Sequence, residues 1–259
     1  MGAGLSGGPV PLPGRDEYLA RWSRLHGGAS TTGLVGWWLG IAHTVARPLV
    51  RAGVGPWPVT VAGVVLAGGA CWPASAGSRW PLLAALLVAA SGLLDNLDGA
   101  VAVLSGRTSR WGFVLDSSCD RLADAAYCLA LLLAGAPAWA AVAGGALAWL
   151  HEYVRARAAV AGMPEVGVVT VSERPTRVIV TAMFLLGAGL YPGAAHLWAG
   201  AGAATWTVLG AVALVQLLLV VHRRLMAADR ATPDTAGPER RARDQAASRW
   251  AHEARDDRG

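Results

Sequence analysis

Four aspartates stand in an otherwise apolar stretch, and their spacing is the feature of this chain best suited to chemistry. Asp95 and Asp98 are three residues apart, and Asp116 and Asp120 are four apart. On helices, each spacing places both carboxylates on one face. Grouped carboxylates repel one another and need a compensating positive charge. Oxygen ligands favour Mg²⁺, Mn²⁺ or Ca²⁺, and Mg²⁺ commonly shares its ligands with substrate phosphates. The pattern therefore indicates a metal site for a phosphate-bearing substrate.

The connection between the two pairs is short, around residues 105–110. It predicts that the helices carrying the aspartates are antiparallel neighbours, so that both pairs meet at one end. Gly112 lies four residues before Asp116 on the same stripe, which opens space beside the metal. The alternative is that the carboxylates only form structural ion pairs with nearby arginines, namely Arg107, Arg110 and Arg121. Arg121 and Asp124, three residues apart, are predicted to be such a pair.

The composition predicts where these helices lie. The chain has 259 residues, of which 54% are hydrophobic and 15% are charged, with a net charge of +5. A soluble domain carries about 25% charged residues. Here the charges gather at the two ends and in short loops, leaving apolar blocks of about 20 residues that are typical of membrane helices. This excludes a disordered chain and argues against an ordinary soluble enzyme. The positive charge fits an anionic bilayer surface, and no basic-aromatic stripe indicates a nucleic-acid partner.

The predicted fold is all-α: a polytopic membrane protein with six transmembrane helices, preceded by an amphipathic surface helix. Residues 1–30 are predicted to be a loose arm with a short helix over Asp16–His26. Residues 31–55 are predicted to be an amphipathic juxtamembrane helix, with a short buried helix as the alternative. A six-helix catalytic domain over residues 56–226 and a charged tail over residues 227–259 follow. The six spans are predicted near Trp57–Ala74, Trp80–Leu104, Trp111–Ala134, Ala138–Ala161, Pro175–Leu190 and Ala201–Leu225.

The arginines predict the orientation in the membrane. The first, third and fifth loops between spans contain one arginine among them, whereas the other loops and the tail contain many. The positive-inside rule then places both termini and the even-numbered loops in the cytoplasm of a multi-pass cell-membrane protein. The three cysteines are an odd number without a C-x-x-C pair, so neither a disulfide framework nor a zinc site is expected.

The spacing of the acidic residues, with small residues at fixed offsets, resembles the signature of the CDP-alcohol phosphatidyltransferase (CDP-alcohol phosphotransferase) family. The residues that carry the resemblance are Asp95, Asp98, Gly99, Ala102, Gly112, Asp116 and Asp120. It covers roughly residues 56–225. It implies an enzyme of phospholipid biosynthesis that transfers a phosphatidyl group from CDP-diacylglycerol to an alcohol acceptor and releases CMP. A homodimer in the lipid bilayer is also implied.

The resemblance further implies roles for single residues. The four aspartates would hold Mg²⁺ or Mn²⁺ against the diphosphate, and Asp120 would be the general base that accepts the hydroxyl proton. The implied CDP-lipid-binding residues are Trp57, Pro58, Val59, Thr60, Gly99, Ala102, Ser109 and Gly112. Two positions depart from the family pattern. Val103 stands where an arginine is usual, so either Arg107 or Arg110 substitutes for it or nucleotide binding is weakened. Trp57 stands where an asparagine or aspartate is usual.

A second polar block, residues 151–178, resembles the branch of the family that uses inositol phosphate. The acceptor-binding candidates are Arg155, Arg174, Arg177 and Arg224. Arginine suits this role because it binds phosphate through two hydrogen bonds and keeps its charge when partly buried. The acceptor is expected to be an inositol phosphate or glycerol 3-phosphate. The adjacent His151 and Glu152 point about 100° apart on a helix, so one of them is expected to face the cleft.

Other functions stay open at this point. The valine at position 103 motivates a catalytically impaired member with a binding or scaffold role. Four membrane carboxylates also suit an Asp-lined divalent-cation carrier. A polyprenyl transferase would need two Asp-rich motifs far apart in the chain, whereas both pairs lie in one predicted hairpin here. Binding of CDP-diacylglycerol separates these possibilities, because neither the carrier nor the polyprenyl transferase should bind it.

Overall fold

In the computed structural model, the described residues are 12–25, 28–163 and 170–231, and they form helices and no strand. This agrees with the all-α prediction, while the tail predicted after residue 231 lies outside the described residues. A one-turn 3₁₀ helix, Pro192–Ala194, precedes the last helix. The α-helices are α1 (Arg15–Leu25), α2 (Gly33–Arg51), α3 (Pro56–Gly69), α4 (Cys71–Ser75), α5 (Pro81–Ser105), α6 (Arg110–Leu133), α7 (Ala138–Val160), α8 (Arg174–Leu190) and α9 (Ala195–Ala231).

Three helical segments of the described chain are long and apolar enough to cross a membrane. They are Pro56–Ser75, Pro81–Ser105 and Pro192–Arg230, and they coincide with the first, second and sixth predicted spans. The other three predicted spans correspond to α6, α7 and α8. α6 and α7 carry several charged side chains among the apolar ones, and α8 has only 17 residues.

The turn between α5 and α6 is defined at both ends by local sequence. Gly106 ends α5 in a left-handed conformation (φ 66°), which glycine adopts at no steric cost, and the N–H of Arg107 donates to the carbonyl of Ala102. Ser109 then caps α6, because its hydroxyl accepts a hydrogen bond from the N–H of Gly112 at 2.9 Å. The end of α5 and the start of α6 are therefore both fixed, and with them the number of helical turns between each aspartate and the connection.

α5 is the central helix, and it packs mainly against α3, α8 and α2. α6 packs mainly against α3 and α7 and contacts α5 only sparingly. The sequence predicted α5 and α6 as close neighbours, but α3 packs against both of them. A third helix thus supports the two that carry the aspartates, and the spacing of the aspartates along the chain did not predict this support.

Close packing of α5 on α8 depends on one glycine from each helix. A Cβ on Gly92 would lie 2.6 Å from Val178 Cγ1, and one on Gly189 would lie 2.7 Å from the backbone nitrogen of Leu82. The two contacts show that the helices run antiparallel, with the start of α8 level with the middle of α5. This arrangement brings Arg174 and Arg177 to the level of Asp95 (one turn beyond Gly92).

The N-terminal region is partly packed, although the sequence predicted a loose arm. Tyr18 of α1 is 1% exposed in an apolar cluster with residues of α2 and α5, and burial raises the pKa of Tyr18 to about 12. The ring of His43 contacts the carbonyl of Pro13 at 3.2 Å. The opposite side of α2 leaves Trp37, Ile41 and Val45 exposed. α2 thus combines a packed face, which the alternative prediction described, with an exposed apolar face.

Candidate active site

Three of the four predicted metal ligands converge. Ligand oxygens of Asp95, Asp98 and Asp116 all lie within 4.8 Å of one another. Asp98 is 6% exposed, and the hydroxyl of Thr60 donates to its Oδ2 at 2.5 Å. Asp116 Oδ1 is buried and accepts no hydrogen bond from the described part of the chain. A buried carboxylate oxygen without a donor, beside two more carboxylates, fits a hard divalent cation.

Asp120, the fourth predicted metal ligand, lies outside this group of three carboxylates and pairs with an arginine. Its carboxylate pairs with the guanidinium of Arg174, whose Nε also contacts Asp95 Oδ2 at 2.9 Å. Arg121 lies 4.0 Å from Asp120. Sequence reasoning weighed Arg107, Arg110 and Arg121 as partners of the acids, but the main partner comes from α8. Only tertiary packing could reveal this pairing, because more than fifty residues separate the two side chains.

A cavity of about 370 Å³ opens between the start of α3 and the turn that joins α5 to α6. Its lining residues are Gly55, Pro56, Trp57, Arg107, Thr108 and Ser109. Thr60 joins the cavity to the acids, since its hydroxyl also contacts the carbonyl of Pro56 at 3.1 Å. Gly99 has open space around it, because a Cβ there would meet no other heavy atom within 4 Å. The cavity can therefore accept a group that extends from the carboxylates.

The predicted CDP-lipid-binding residues divide into two sets. Trp57 and Ser109 line the cavity, and the Trp57 ring packs edge-on against Trp111 with centroids 6.5 Å apart. Pro58 is exposed, Ala102 and Gly112 are half-buried, and Val59 is buried in the apolar cluster shared with α1 and α2. The structure thus brings only part of the predicted segment to the cavity surface.

Val103, at the position where an arginine is usual in the family, lies in the apolar core. Its side chain is 6% exposed, within the same apolar cluster as Val59. Arg107, four residues later and beyond the left-handed Gly106, lines the cavity. Of the two arginines proposed as substitutes for the usual one, Arg107 is therefore the one that lines this cavity.

A second cluster of charged side chains joins α6, α7 and α8. The carboxylate of Glu152 forms ion pairs with three arginines. Its Oε1 lies 3.5 Å from Nη2 of Arg177 and 3.6 Å from Nη1 of Arg121, and its Oε2 lies 3.9 Å from Nε of Arg155. Asp124, which has no solvent exposure, pairs with Arg177 at 2.5 Å and with Arg121 at 3.3 Å. The predicted Arg121–Asp124 pair is confirmed. Asp124 and Glu152 hold the arginines in place. The sequence predicted the pair of Asp124 with Arg121, but neither the pairing of Asp124 with Arg177 nor the arginines around Glu152.

Glu173 extends this cluster at the start of α8. Its Oε1 accepts hydrogen bonds from Arg155 Nη2 at 2.8 Å and from the backbone N–H of Thr170 at 2.8 Å. Burial opposes ionisation of Glu173, but the Thr170 N–H and the Arg155 guanidinium outweigh it and lower the pKa of the carboxyl below its usual value. His151, 2% exposed, lies 3.2 Å from the Thr170 hydroxyl. Glu152 is thus the member of the predicted His–Glu pair that faces the arginines.

The four predicted acceptor-binding arginines are not equivalent. Arg174 contacts the aspartates, Arg177 is 4% exposed and pairs with Asp124 and Glu152, and Arg155 is 36% exposed on the rim of the cluster. Arg224 is exposed on α9 and forms no ion pair with another described residue. The structure brings the first three together with acidic partners and leaves Arg224 apart.

The sequence model of the CDP-alcohol phosphatidyltransferase family matches residues 55–217 of this chain. The chain belongs to the CDP-alcohol phosphatidyltransferase family. The match begins at the cavity residue Gly55 and includes all the carboxylates and arginines described above except Arg224. The enzyme class implied by the family resemblance is confirmed: a transferase of phospholipid biosynthesis that moves a phosphatidyl group from a CDP-linked lipid to an alcohol.

Relatives of this phosphatidyltransferase share about a third of their aligned residues with it. The phosphatidylinositol phosphate synthase of Mycolicibacterium smegmatis is 33% identical over 202 residues, which is 70% of this chain and 82% of that protein. The corresponding synthase of Cutibacterium acnes is 33% identical over 199 residues, 72% of this chain and 94% of the relative. The archaetidylinositol phosphate synthase of Aeropyrum pernix is 43% identical over 99 residues, 37% and 48% of the two chains.

Two crystal structures resemble this phosphatidyltransferase in fold. Both are of the phosphatidylinositol phosphate synthase of Mycobacterium tuberculosis. One, in complex with manganese and citrate, has a TM-score of 0.57 and 26% identity, covering 70% of this chain and 88% of that one. The other, with CDP-DAG bound, has a TM-score of 0.55 and 28% identity, covering 70% and 93%. Manganese in the relative agrees with the Mg²⁺ or Mn²⁺ predicted for the aspartates of this enzyme.

Proposed function

We propose that this enzyme transfers the phosphatidyl group of CDP-diacylglycerol to an inositol phosphate and releases CMP. The observation that carries the proposal is the position of Arg174. Arg174 contacts Asp95 of the three-carboxylate cluster, and it directly follows Glu173, which pairs with Arg155 of the arginine cluster. Carboxylates with a divalent ion suit a diphosphate, and clustered arginines suit a phosphorylated acceptor. The relatives named for inositol phosphate lipids and the CDP-DAG-bound structure support the same substrates.

Asp95, Asp98 and Asp116, with Asp120, would hold Mg²⁺ or Mn²⁺. When bound, the divalent ion supplies positive charge that neutralises the phosphates in the transition state. Asp120 would accept the proton of the acceptor hydroxyl, for which a carboxylate within hydrogen-bond reach is required. The hydroxyl oxygen then bonds to the phosphatidyl phosphorus as the bond from that phosphorus to the CMP oxygen breaks. The proton stays on Asp120, and CMP leaves with the electron pair.

The donor nucleotide would occupy the cavity. Trp57, Ser109 and Arg107 would contact it directly, with the guanidinium of Arg107 replacing the charge missing at Val103. Thr60 would orient Asp98. The other predicted donor positions would shape the space rather than bind through side chains: Pro58, Val59, Gly99, Ala102 and Gly112.

The acceptor phosphate would bind to arginines. Arg155 is the most accessible of these arginines, and Arg174 lies nearest the aspartates. Arg177 is buried, where it pairs with Asp124. Arg224 would contribute from α9. Glycerol 3-phosphate has the same kind of phosphate, so it is the second acceptor to test.

The enzyme would lie in the cell membrane with both termini in the cytoplasm. Its six spans would be α3 together with α4, and then α5, α6, α7, α8 and α9. α2 would rest on the membrane surface with Trp37, Ile41 and Val45 in the lipid, as an interfacial helix requires. A homodimer is proposed from the family resemblance.

The test is CMP release by purified protein with CDP-diacylglycerol and Mg²⁺. Inositol 1-phosphate, inositol, glycerol 3-phosphate and phosphatidylglycerol serve as acceptors. Release with inositol 1-phosphate is expected to be lost in Asp116→Asn and Asp120→Asn but kept in Asp16→Asn, a control on α1.

Release with a different acceptor would overturn the acceptor assignment. Binding of CDP-diacylglycerol without release would point to an impaired member. Absence of that binding would return the carboxylates to the cation-carrier hypothesis.

A further inference from the structure

Arg174 forms ion pairs with two predicted metal ligands, and binding of the acceptor phosphate by Arg174 does not explain these pairs. Its guanidinium contacts Asp95 through Nε at 2.9 Å and also pairs with Asp120. It therefore joins a carboxylate of α5 to a carboxylate of α6 by one positive charge. The side chain of Arg174 is only 14% exposed, so the pairing takes place in a partly desolvated site.

This guanidinium and a divalent cation need the same carboxylates. Asp95 belongs to the three-carboxylate cluster, and its Oδ2 already contacts Arg174. Asp120 lies outside that cluster and pairs with Arg174. Two positive groups on one carboxylate repel each other strongly at low dielectric, because little solvent screens them. Simultaneous binding of both cations at full strength is therefore unfavourable.

We propose that Arg174 is a built-in competitor of the metal ion: it binds Asp95 and Asp120 while the metal is absent and leaves them when a divalent cation binds. The inference rests on the proposed function, because it takes these aspartates as metal ligands. Departure of Arg174 frees Asp120 to act as ligand and base. The carboxylates thus stay neutralised in both states.

The surrounding structure allows the side chain to move without its helix. Arg174 is the first residue of α8. Three residues later, Arg177 is paired with buried Asp124 at 2.5 Å, and Gly92 packs against Val178. These contacts hold the first turn of α8 against α5 and α6. A change of Arg174 rotamer is then sufficient to exchange its partners.

The experiment is a Mn²⁺ titration of full-length protein in lipid nanodiscs, with free Mn²⁺ followed by electron paramagnetic resonance. Removing a competing cation should tighten metal binding, so Arg174→Gln and Arg174→Met should bind Mn²⁺ roughly tenfold more tightly than wild type, within the usual range of coupling between sites. Arg174→Lys, which keeps the charge, should bind close to wild type. Arg157→Gln, an exposed arginine of α7, is the matched control and should change nothing. Equal or weaker binding by both neutral variants would overturn the proposal, since a merely structural arginine would not restrain the metal.

A second measurement uses the wild-type protein and does not depend on a variant that folds. Phenylglyoxal modifies accessible arginines, and mass spectrometry locates the product. Mn²⁺ should accelerate modification of Arg174 several-fold, while Arg157 should react at one rate throughout. An unchanged or slower rate at Arg174 would contradict its release. Failure of the proposed metal site is distinguished by Asp116→Asn: if wild type and this variant bind Mn²⁺ alike, the aspartates are not the ligands.

Discussion

At the scale of residues, the site is organised by buried charges that satisfy one another. Asp124 and Arg177 are almost completely buried and form a pair at 2.5 Å. Removing one member of such a pair leaves the other uncompensated, which is costly in a desolvated environment. Asp116 differs from Asp124, because it forms no ion pair with a described arginine and its buried Oδ1 accepts no hydrogen bond from the described residues. The paired charges stabilise the surroundings of the site, and the buried oxygen of Asp116 without a donor marks a position where a ligand is expected.

Glu173 predicts a pH dependence of stability. Its pKa in the folded protein lies below the ordinary 4.5. A depressed carboxyl pKa contributes stability above the unfolded-state pKa, and this contribution is lost as the pH falls through the folded-state pKa. Glu173→Gln should therefore lower the free energy of unfolding by roughly 1.5–3 kcal/mol at neutral pH, the usual contribution of a hydrogen bond to a charged group. The deficit should shrink below a pH of about 4.5.

The measurement is the thermal unfolding of both proteins in detergent from pH 3 to pH 8, compared as a difference. Glu17→Gln is the control, because Glu17 forms an exposed ion pair with Arg21 on α1. Exposed pairs contribute little, so this variant should stay within about 1 kcal/mol of wild type. A Glu173→Gln deficit that grows on acidification would contradict the sign of the pKa shift.

At the scale of elements, the antiparallel packing of α8 on α5 determines which arginines reach the aspartates. The contact of Gly92 with Val178 sets the separation of the two helices just below the site. Small residues are the usual means of bringing membrane helices this close. A wider separation would move Arg174 and Arg177 away from their acidic partners together.

Gly92→Ala tests this dependence. The new Cβ would lie 2.6 Å from Val178 Cγ1, and valine is stiff because its branched side chain has few rotamers. Overpacking of this kind costs about 1–3 kcal/mol. We expect lower thermal stability together with reduced CMP release, measured in the same preparation. Gly68→Ala on α3, where a Cβ meets no heavy atom within 4 Å, should leave both unchanged. Full activity in Gly92→Ala would show that the helix separation does not control the site.

At the scale of the whole molecule, the carboxylates, the cavity and the arginine cluster all lie on the side of the helices toward the turn between α5 and α6. That turn lines the cavity, and the start of α8 contacts Asp95 in the half of α5 that leads to the turn. The arginine-poor turns, such as residues 76–80, lie at the other end of α5. This asymmetry predicts a site that faces the cytoplasm, since positively charged loops are retained on that side.

Cysteine labelling tests the orientation. In a variant with alanine at the three native cysteine positions, Ala76→Cys and Ala161→Cys place single thiols at exposed positions beyond opposite ends of the spans. In intact cells, a membrane-impermeant maleimide should label the cysteine at position 76 and not the one at position 161. After lysis, both should react. Labelling of position 161 in intact cells would reverse the proposed topology.

The sequence by itself determined the helical class, the enzyme family and three aspartates that the structure brings together, Asp95, Asp98 and Asp116. These depend on local rules: the length of apolar blocks, the face shared by residues three or four apart, and fixed offsets within two consecutive helices. Only the tertiary structure decided that Asp120 pairs with Arg174 and that Glu152 lies near three arginines. It also decided that α3 packs against both α5 and α6, which contact each other only sparingly. The physical reason is sequence separation: which distant charges meet is set by the close approach of helices at residues such as Gly92, and periodicity along the chain does not encode that approach.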